Sequence, residues 1–267
     1  MSTTITTAFV QQFSSNIAML SQQMGSLLRS SVDVESVNAE KAFFDQVGVA
    51  AAVARTTRNS DTPLMDTPHT RRMVTMTDYE YADLIDSQDK IRMLADPTST
   101  YARAAAAAMG RAMDDVIIAA MHGTAKTGAS GATSVSFPAA QQIAHGSAGL
   151  TIAKLLSAKE ILDANSVDPS IPRYLVASPK QMSDLLGTTQ VTSSDFNTVK
   201  SLVQGQIDSF MGFKFISSNR LPHNGKEPTA KIDERADKSY STQIYYCQTL
   251  GATRMEEEKI VEIACNE

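Results

Sequence analysis

DPTSTYARAAAAAMGRAMDDVIIAAMH, residues 96–122, is the stretch of this sequence that predicts the longest secondary-structure element. Asp96 suits the N-cap of a helix and Pro97 suits its first turn. The alanines at 104–108 belong to the residue type with the highest helix propensity, and at 1.5 Å per residue the predicted helix is roughly 40 Å long. Its apolar side is interrupted by charged residues: Arg103, Arg111, Asp114 and Asp115. The pattern therefore predicts a long helix of a soluble protein rather than a membrane span.

The segment after this helix, HGTAKTGASG at residues 122–131, is close to a phosphate-binding P-loop. Gly123 and Gly128 have the spacing of the motif, but Ala129 stands where the motif needs its lysine. A P-loop also lies between a strand and a helix, whereas this segment follows a helix. The pattern predicts a helix C-terminus at Gly123 followed by a loop. A nucleotide-dependent enzyme is the alternative, and ATP binding would support it.

Two extended segments precede the long helix. Residues 43–55 are rich in small and β-branched residues, and residues 71–85 begin with alternating side chains. Residues 56–70 between them contain Pro63, Pro68 and other turn formers. The pattern predicts a protruding hairpin with a polar tip. Because an isolated two-stranded hairpin is marginally stable in water, we expect it to lie on a neighbouring subunit.

The N-terminal segment carries one apolar stripe. Its residues recur at spacings of three and four, as on one side of an amphipathic helix: Phe9, Phe13, Ile17 and Leu20. We expect this stripe to pack on a hydrophobic surface of its own or of a neighbouring subunit. Its four residues are therefore candidate assembly contacts.

The C-terminal half has a mixed pattern of helices and strands. Residues 151–165 predict an amphipathic helix whose inward side chains are Ile152, Leu155, Leu156 and Leu162. RYLVAS at 173–178 predicts a short buried strand, and Ser178 with Gln181 predicts a capping box at the start of the next helix.

Further strands follow these elements. GQIDSFMGFKFISS at 205–218 predicts two strand segments that turn at Gly212. TQIYYCQT and KIVEIAC predict closing strands. Together with the long helix, these elements predict an α+β fold.

Composition limits the class of protein. The chain has 267 residues, which is enough for one large domain or two small ones. Its net charge of −5 argues against non-specific nucleic-acid binding, which needs clustered lysines and arginines. Cys247 and Cys265 lie in apolar stretches and predict buried, reduced thiols. Without a signal peptide or a bilayer-length apolar run, the sequence predicts a cytoplasmic product.

Residues that carry chemistry are scattered. The histidines stand apart from one another and from other ligands: His69, His122, His145 and His223. Asp114 and Asp115 are adjacent on a helix and point about 100° apart, so we expect surface or inter-subunit ion pairs from them. The acidic run at 256–258 predicts a solvated turn or strand edge. We therefore expect no catalytic residue, cofactor or metal.

The order of the parts resembles the major capsid proteins of tailed double-stranded DNA phages, with the Hong Kong 97-like capsid fold and podophage-type segments. The resemblance is strongest in SPKQMSDLL and GQIDSFMGFKFISSNRLP. The matching positions of the second motif are Gly205, Ile207, Phe210, Gly212, Phe213, Phe215, Ile216, Ser218, Leu221 and Pro222. The resemblance implies an N-terminal arm (1–40), an extended β-hairpin loop (41–86), a peripheral domain with the spine helix (87–150), a mainly axial domain (151–241), and closing strands (242–267).

The resemblance also implies a function and partners. The expected protein is a structural subunit that assembles into hexamers and pentamers of an icosahedral head around double-stranded DNA, in the host cytoplasm. The expected partners are other copies of the chain, a separate scaffolding protein, a portal and a candidate cement protein. The scaffolding protein is expected to be separate because a long helix near residue 97 leaves no room for a cleaved N-terminal scaffold. The alternative is an encapsulin-like compartment filled with an enzyme cargo.

Some members of this family crosslink covalently through a lysine in the extended loop. Residues 42–89 of this chain contain no lysine. They contain arginines, which stay protonated and suit bidentate pairing with carboxylates. The remaining candidate assembly contacts are therefore Arg55, Arg58, Arg71 and Arg72. We expect the hairpin to clasp a neighbouring subunit without a covalent bond.

Overall fold

The computed structural model describes residues 21–58, 61, 64–85, 98–187, 209–221 and 242–266. The fold class expected from the sequence, α+β, is confirmed. The α-helices in this part of the chain are α1 (Thr98–His122), α2 (Ile152–Ala164) and α3 (Pro179–Leu186). Its strands are β1 (Lys41–Val47), β2 (His69–Thr75), β3 (Thr77–Ile85), β4 (Ala125–Thr127), β5 (Thr133–Val135), β6 (Gln142–Ile143), β7 (Arg173–Ala177), β8 (Ser209–Phe210), β9 (Phe213–Ser217), β10 (Thr242–Leu250) and β11 (Glu262–Ile263).

The chain divides into two compact units. The first unit comprises Met1–Ser26, Asp78–Ala112 and Thr229–Gln248. The second comprises Leu27–Thr77, Met113–Pro228 and Thr249–Glu267. Helix α1 contributes its N-terminal part to the first unit and its C-terminal part to the second.

The long helix ends where the sequence predicts. The backbone N–H of Gly123 donates to the carbonyl of Ala119 at 2.8 Å and closes the last turn. The predicted N-terminal cap, Asp96 and Pro97, lies outside the described residues.

In the first unit, Gly110 of α1 lies against Gly25, and a Cβ at Gly110 would come within 2.4 Å of the Gly25 carbonyl carbon. This close approach explains why glycine stands inside a helix that is otherwise rich in alanine.

Strands β1 and β2 form the long hairpin. They pair antiparallel from Lys41 opposite Thr75 to Val47 opposite His69. The sheet continues through β4 and β5, in the order β1-β2-β4-β5. The segment after Gly123 is therefore a short β4–β5 hairpin rather than the loop that the sequence predicted. Glycines with positive φ, Gly128 at +94° and Gly131 at +71°, make its turn possible.

The predicted second arm of the hairpin, residues 71–85, is divided between two sheets. The chain leaves the hairpin at Met76, whose N–H donates to the Glu40 carbonyl at 2.9 Å. Strand β3 then pairs with β10 in a separate two-stranded sheet. The alternating side chains continue through both strands, so the sequence pattern alone could not show that they have different partners.

A three-stranded sheet, β7-β9-β8, forms the centre of the second unit. Its strands β7 and β9 are parallel, and β8 joins β9 antiparallel. The predicted turn at Gly212 is confirmed, because Met211 and Gly212 both have positive φ, at 53° and 88°. Helices α2 and α3 pack on one face of this sheet around Leu150, Leu155 and Leu185.

The C-terminal part of α1 packs on the other face. Ile117 and Ile118 form a cluster with Leu28, against which Val176 and Ile216 pack from β7 and β9. Leu175 and Phe215, their neighbours on the same strands, pack against the α2–α3 cluster. Alternation of side chains along each strand therefore gives a sheet with apolar residues on both faces.

Helix α3 begins as the sequence predicts. The Ser178 hydroxyl accepts from the Gln181 N–H, and the Gln181 side chain accepts from the Ser178 N–H. Pro179 stands at the first helical position, which needs no backbone donor. The capping box predicted from the sequence is confirmed.

Two burial predictions are wrong. Leu156 was expected on the inner side of α2, but it is 52% exposed, because Leu155 beside it takes the inward position. Cys247 was expected to be buried, but it is an exposed free thiol on β10. The aromatic residues beside it, Tyr245 and Tyr246, are exposed as well. Apolar composition could not decide burial in this strand, which belongs to a sheet of two strands.

Candidate functional site: the β1–β2 hairpin and the ionic contacts at its base

The outer face of the hairpin carries an exposed ion pair. Asp45 and Arg71 are direct cross-strand partners, and the Arg71 Nη2 donates to the Asp45 Oδ2 at 3.1 Å. The Arg71 guanidinium also lies 5.8 Å from the centre of the Phe43 ring. The hydrogen bond from Arg71 is the main cause that lowers the pKa of the Asp45 carboxyl below its ordinary value. This pair stabilises the register of the hairpin from the solvent side.

The inner face of the hairpin carries a buried ion pair. Arg72 follows Arg71 and points to the opposite face, where it is 7% exposed. Its Nη2 donates to both carboxylate oxygens of Glu257, at 2.8 and 2.6 Å, and its Nε donates to the Met255 carbonyl at 3.2 Å. Gln46 of β1 donates to the same carbonyl at 2.7 Å. The hairpin base is thus held against residues 255–257.

Arg254 extends this contact to the end of the long helix. It is buried, and its Nη1 donates to the carbonyls of Met121 at 2.9 Å and Gly123 at 2.8 Å. A cation at a helix C-terminus satisfies carbonyls that have no partner within the helix and interacts favourably with the helix dipole. The Arg254 Nε also lies 3.6 Å from Glu257. Glu257 therefore links two buried arginines, one in the hairpin and one at the end of α1.

The connection between β1 and β2 exposes apolar side chains, although the sequence predicted a polar tip there. The Gly48 N–H donates to the Pro68 carbonyl at 2.7 Å and closes the connection at its base. Beyond this point, Val49 and Leu64 are each 97% exposed. Further exposed apolar residues in the hairpin are Phe43, Val47, Val53 and Met65. A group of exposed apolar side chains on one protrusion is typical of a protein-binding surface.

The predicted assembly contacts fall into three groups. The stripe residues Phe9, Phe13, Ile17 and Leu20 lie outside the described residues. Arg55 and Arg58 are exposed in the β1–β2 connection, where the Arg55 Nε donates to the Thr57 carbonyl at 2.9 Å. Arg71 and Arg72 instead pair with carboxylates of their own chain. The expected pairing with a carboxylate of a neighbouring subunit therefore stays a prediction for Arg55 and Arg58.

The acidic pair of the long helix behaves differently from the prediction. Asp114 is fully buried and accepts the backbone N–H groups of Leu27 and Leu28, each at 3.1 Å. The expectation of a surface or inter-subunit ion pair is therefore wrong for Asp114. Asp115 pairs with Arg220 of the same chain, whose Nε donates to its Oδ1 at 2.8 Å. The 100° offset between the two carboxylates gives them separate partners.

Sequence reasoning missed Glu257 and Arg254. Glu257 lies in the acidic run that was expected to be solvated, yet its carboxylate is largely buried between two arginines. The closing segment contains a single arginine, Arg254, three residues before Glu257. An arginine and a glutamate three residues apart are common on protein surfaces, so the sequence did not indicate that this pair is buried.

Among the described residues, no group of histidine, cysteine or acidic side chains could hold a metal ion. No helix there is long and apolar enough to cross a membrane.

Solved structures of low sequence identity share this fold. The capsid structure of the cyanophage P-SCSP1u matches with a TM-score of 0.72 and 16% identity, over 98% of this chain and 94% of that chain. A structure from Mycobacterium phage Che8 matches with a TM-score of 0.65 and 16% identity, over 96% of each chain. The capsid of Ralstonia phage GP4 matches with a TM-score of 0.56 and 12% identity, over 79% of this chain and 73% of that chain.

The sequence itself matches the model of a protein family. A search of curated proteins found no match. The family model described as phage capsid protein, however, matches residues 5–267. This match covers nearly the whole chain and agrees with the folds of the similar structures. The chain therefore belongs to the phage capsid protein family.

Proposed function

We propose that this protein is the major structural subunit of an icosahedral phage head, in which hexamers and pentamers of the chain enclose double-stranded DNA. The observation that carries the proposal is the β1–β2 hairpin, whose connection exposes Val49 and Leu64 almost completely. Exposed apolar side chains of this kind are unfavourable in water, and burial of each contributes about 1.5–3 kcal/mol. We expect a second copy of the chain to bury these side chains, because every hexamer and pentamer brings several copies together.

The base of the hairpin supports this role. Arg72 holds the hairpin base to Glu257 through buried, charge-assisted hydrogen bonds. Arg254 adds an ionic contact to Glu257 at 3.6 Å. A fixed base presents the connection in one orientation and lowers the entropy that is lost when it binds. Many modest contacts of this kind, repeated by symmetry, add up to a stable closed shell.

We also propose that the chain has the parts and the partners of the capsid proteins that it resembles. Residues 1–40 are an N-terminal arm in the Hong Kong 97-like fold, and residues 41–86 are its extended loop. The net charge of −5 suits a wall along which packaged DNA slides without specific binding. A scaffolding protein, a portal and a cement protein are the further partners of such a head, which assembles in the host cytoplasm.

Expression of the full chain tests the proposal. Electron microscopy and light scattering should show capsomers or shells in the wild-type protein. The double variant Val49→Ser/Leu64→Ser should remain folded and assemble poorly, because it removes the exposed apolar contacts of the connection. Leu156→Ser is the matched control, since it makes the same kind of change at an exposed leucine outside the hairpin.

The outcomes are distinct. A stable, folded wild-type monomer at micromolar concentration contradicts the assembly of the chain into shells. Normal assembly of the hairpin variant contradicts the role of the connection. Particles produced during phage infection should contain DNA, and a protein cargo in its place would identify an encapsulin-like compartment instead.

A further inference from the structure

A buried ammonium group lies at the N-terminal turn of α2. Lys154 is 9% exposed. Its Nζ donates to the backbone carbonyls of His145 at 2.9 Å, Ala148 at 2.7 Å, Gly149 at 2.9 Å and Ala264 at 2.9 Å. An ammonium group has three N–H donors, so at least one of them is shared between two of these oxygens. The arrangement is a cage of backbone carbonyls around a cation, comparable to carbonyl sites that hold monovalent ions.

The cage joins two parts of the chain that are distant in sequence. His145, Ala148 and Gly149 belong to the loop before α2, whereas Ala264 follows β11 near the end of the chain. Charge-assisted hydrogen bonds are roughly twice as strong as hydrogen bonds between neutral groups. The Lys154 ammonium therefore contributes a strong link between the loop and the C-terminal segment.

Besides this link, the C-terminal segment has backbone and apolar contacts of its own. Strand β11 pairs with β6 over two residues, Glu262 and Ile263. The Ala264 N–H donates to Ile143 at 2.9 Å, and the Asn266 N–H donates to Ala148 at 3.0 Å. Ile263 and Cys265 also pack against the α2–α3 cluster. So short a strand pair gives little stability by itself, and Lys154 adds a charged donor to the segment.

The other end of the segment lies at the long helix. The Glu262 carboxylate approaches the Nδ1 of His122, the last residue of α1, at 3.5 Å. One end of the segment thus contacts the C-terminus of α1, and the other contacts the first turn of α2 through Lys154. These contacts all lie within the second unit.

We propose that residues 262–266 form a strap, fastened by the Lys154 ammonium, that ties the end of α1 to the start of α2. Lys154 acts here as a built-in cation, so that the fastening needs no bound ion. The proposal is independent of shell assembly, because every contact that carries it lies within one chain.

Hydrogen exchange of the full-length chain, followed segment by segment, tests the strap. Lys154→Met keeps a side chain of similar length and removes the charge. We expect exchange in residues 262–266 and 145–149 to become at least about tenfold faster, because a hydrogen bond to a charged group contributes stability of that order. Exchange in β1 and β2 should not change. Lys159→Met, on the same helix, is the matched control and should leave all of these segments unchanged.

Two results would overturn the proposal. One is unchanged exchange of residues 262–266 in Lys154→Met, and the other is faster exchange across the whole second unit without preference for the strap. If Lys154→Met does not fold, a chain that lacks residues 264–267 is compared with the wild type, since it loses the Ala264 carbonyl. Faster exchange in residues 145–149 and in the first turn of α2 is then expected, and unchanged exchange there would overturn the proposal.

Discussion

At the scale of single residues, neighbours in the sequence have different roles because a strand turns them to opposite faces. Arg71 pairs with Asp45 in solvent, and Arg72 pairs with Glu257 in the interior. An exposed pair is screened by water and contributes little to stability. A buried pair is costly to form, but removal of one partner leaves an uncompensated charge. The two arginines therefore provide a matched test within one dipeptide.

Arg72→Met is expected to lower the free energy of unfolding by about 1–3 kcal/mol, because the largely buried Glu257 carboxylate loses two charge-assisted hydrogen bonds while Arg254 remains 3.6 Å away. Arg71→Met, the control, should have a much smaller effect. Urea denaturation of both variants and of the wild type, each in the same state of assembly, measures the effects. Equal destabilisation by the two substitutions would show that burial of the Arg72–Glu257 pair is unimportant.

The pH dependence of Asp45 follows from its hydrogen bond to Arg71. Because this bond lowers the pKa of the folded carboxyl below 3.8, its stabilising effect is present above the unfolded pKa and is lost as the pH falls through the folded pKa. An NMR titration of the Asp45 carboxyl should have its midpoint below 3.8 in the wild type. Arg71→Met should raise this midpoint, and a midpoint that does not move would refute the assignment of the cause.

At the scale of elements, the long helix shows how tertiary contacts overrule helix propensity. Alanine is the better residue inside a helix, by roughly 1 kcal/mol relative to glycine. Gly110 nevertheless stands in α1, where the backbone of Gly25 lies in the place of a side chain. Arg111 beside it donates to the Gln22 side chain at 2.8 Å. Residues 22–25 thus lie against one face of α1, at Gly110 and Arg111.

Gly110→Ala is therefore expected to destabilise the protein, although helix propensity alone predicts the opposite sign. An added Cβ would lie 2.4–2.7 Å from backbone atoms of Gly25, which cannot move aside as a side chain can. Thermal unfolding and hydrogen exchange of residues 22–26 measure the effect. Ala106→Gly, at an exposed position of α1, is the control and should cost roughly 1 kcal/mol through propensity alone. A stabilised Gly110→Ala variant would contradict the close approach.

At the scale of the whole molecule, the proposed assembly makes the hairpin the part of the chain that we expect to contact another copy. Its inner face is held by buried charges, and its connection exposes apolar residues. Residues 42–89 contain no lysine, and Lys41 at the start of β1 lies opposite Thr75, at the end of the hairpin away from the connection. The contacts between subunits in this region are therefore expected to be non-covalent.

Mature particles boiled in detergent should release one band near 28.8 kDa. The reason is that arginine stays protonated and cannot act as the nucleophile that a lysine supplies. Reducing gel electrophoresis of purified particles checks this. A ladder of covalent oligomers would contradict it, and reducing conditions exclude disulfides through the exposed Cys247 as its source.

The sequence by itself determined the features that depend on neighbouring residues. These include the long helix and its end at Gly123, the capping box at Ser178, and the turn at Gly212. Each is set by chemistry within a few residues: propensity, a missing donor, or a positive φ. The wider pattern of glycine and apolar positions was enough to indicate the capsid family, which the family match confirms.

Only the tertiary structure decided which distant residues meet. It divided residues 71–85 between two sheets, buried Asp114, and brought Glu257 between Arg72 and Arg254. It also placed the Ala264 carbonyl on the Lys154 ammonium. The physical reason is that the alternation of apolar and polar residues and the positions of charges show which side chains need a contact. Which residue provides that contact depends on how the whole chain packs.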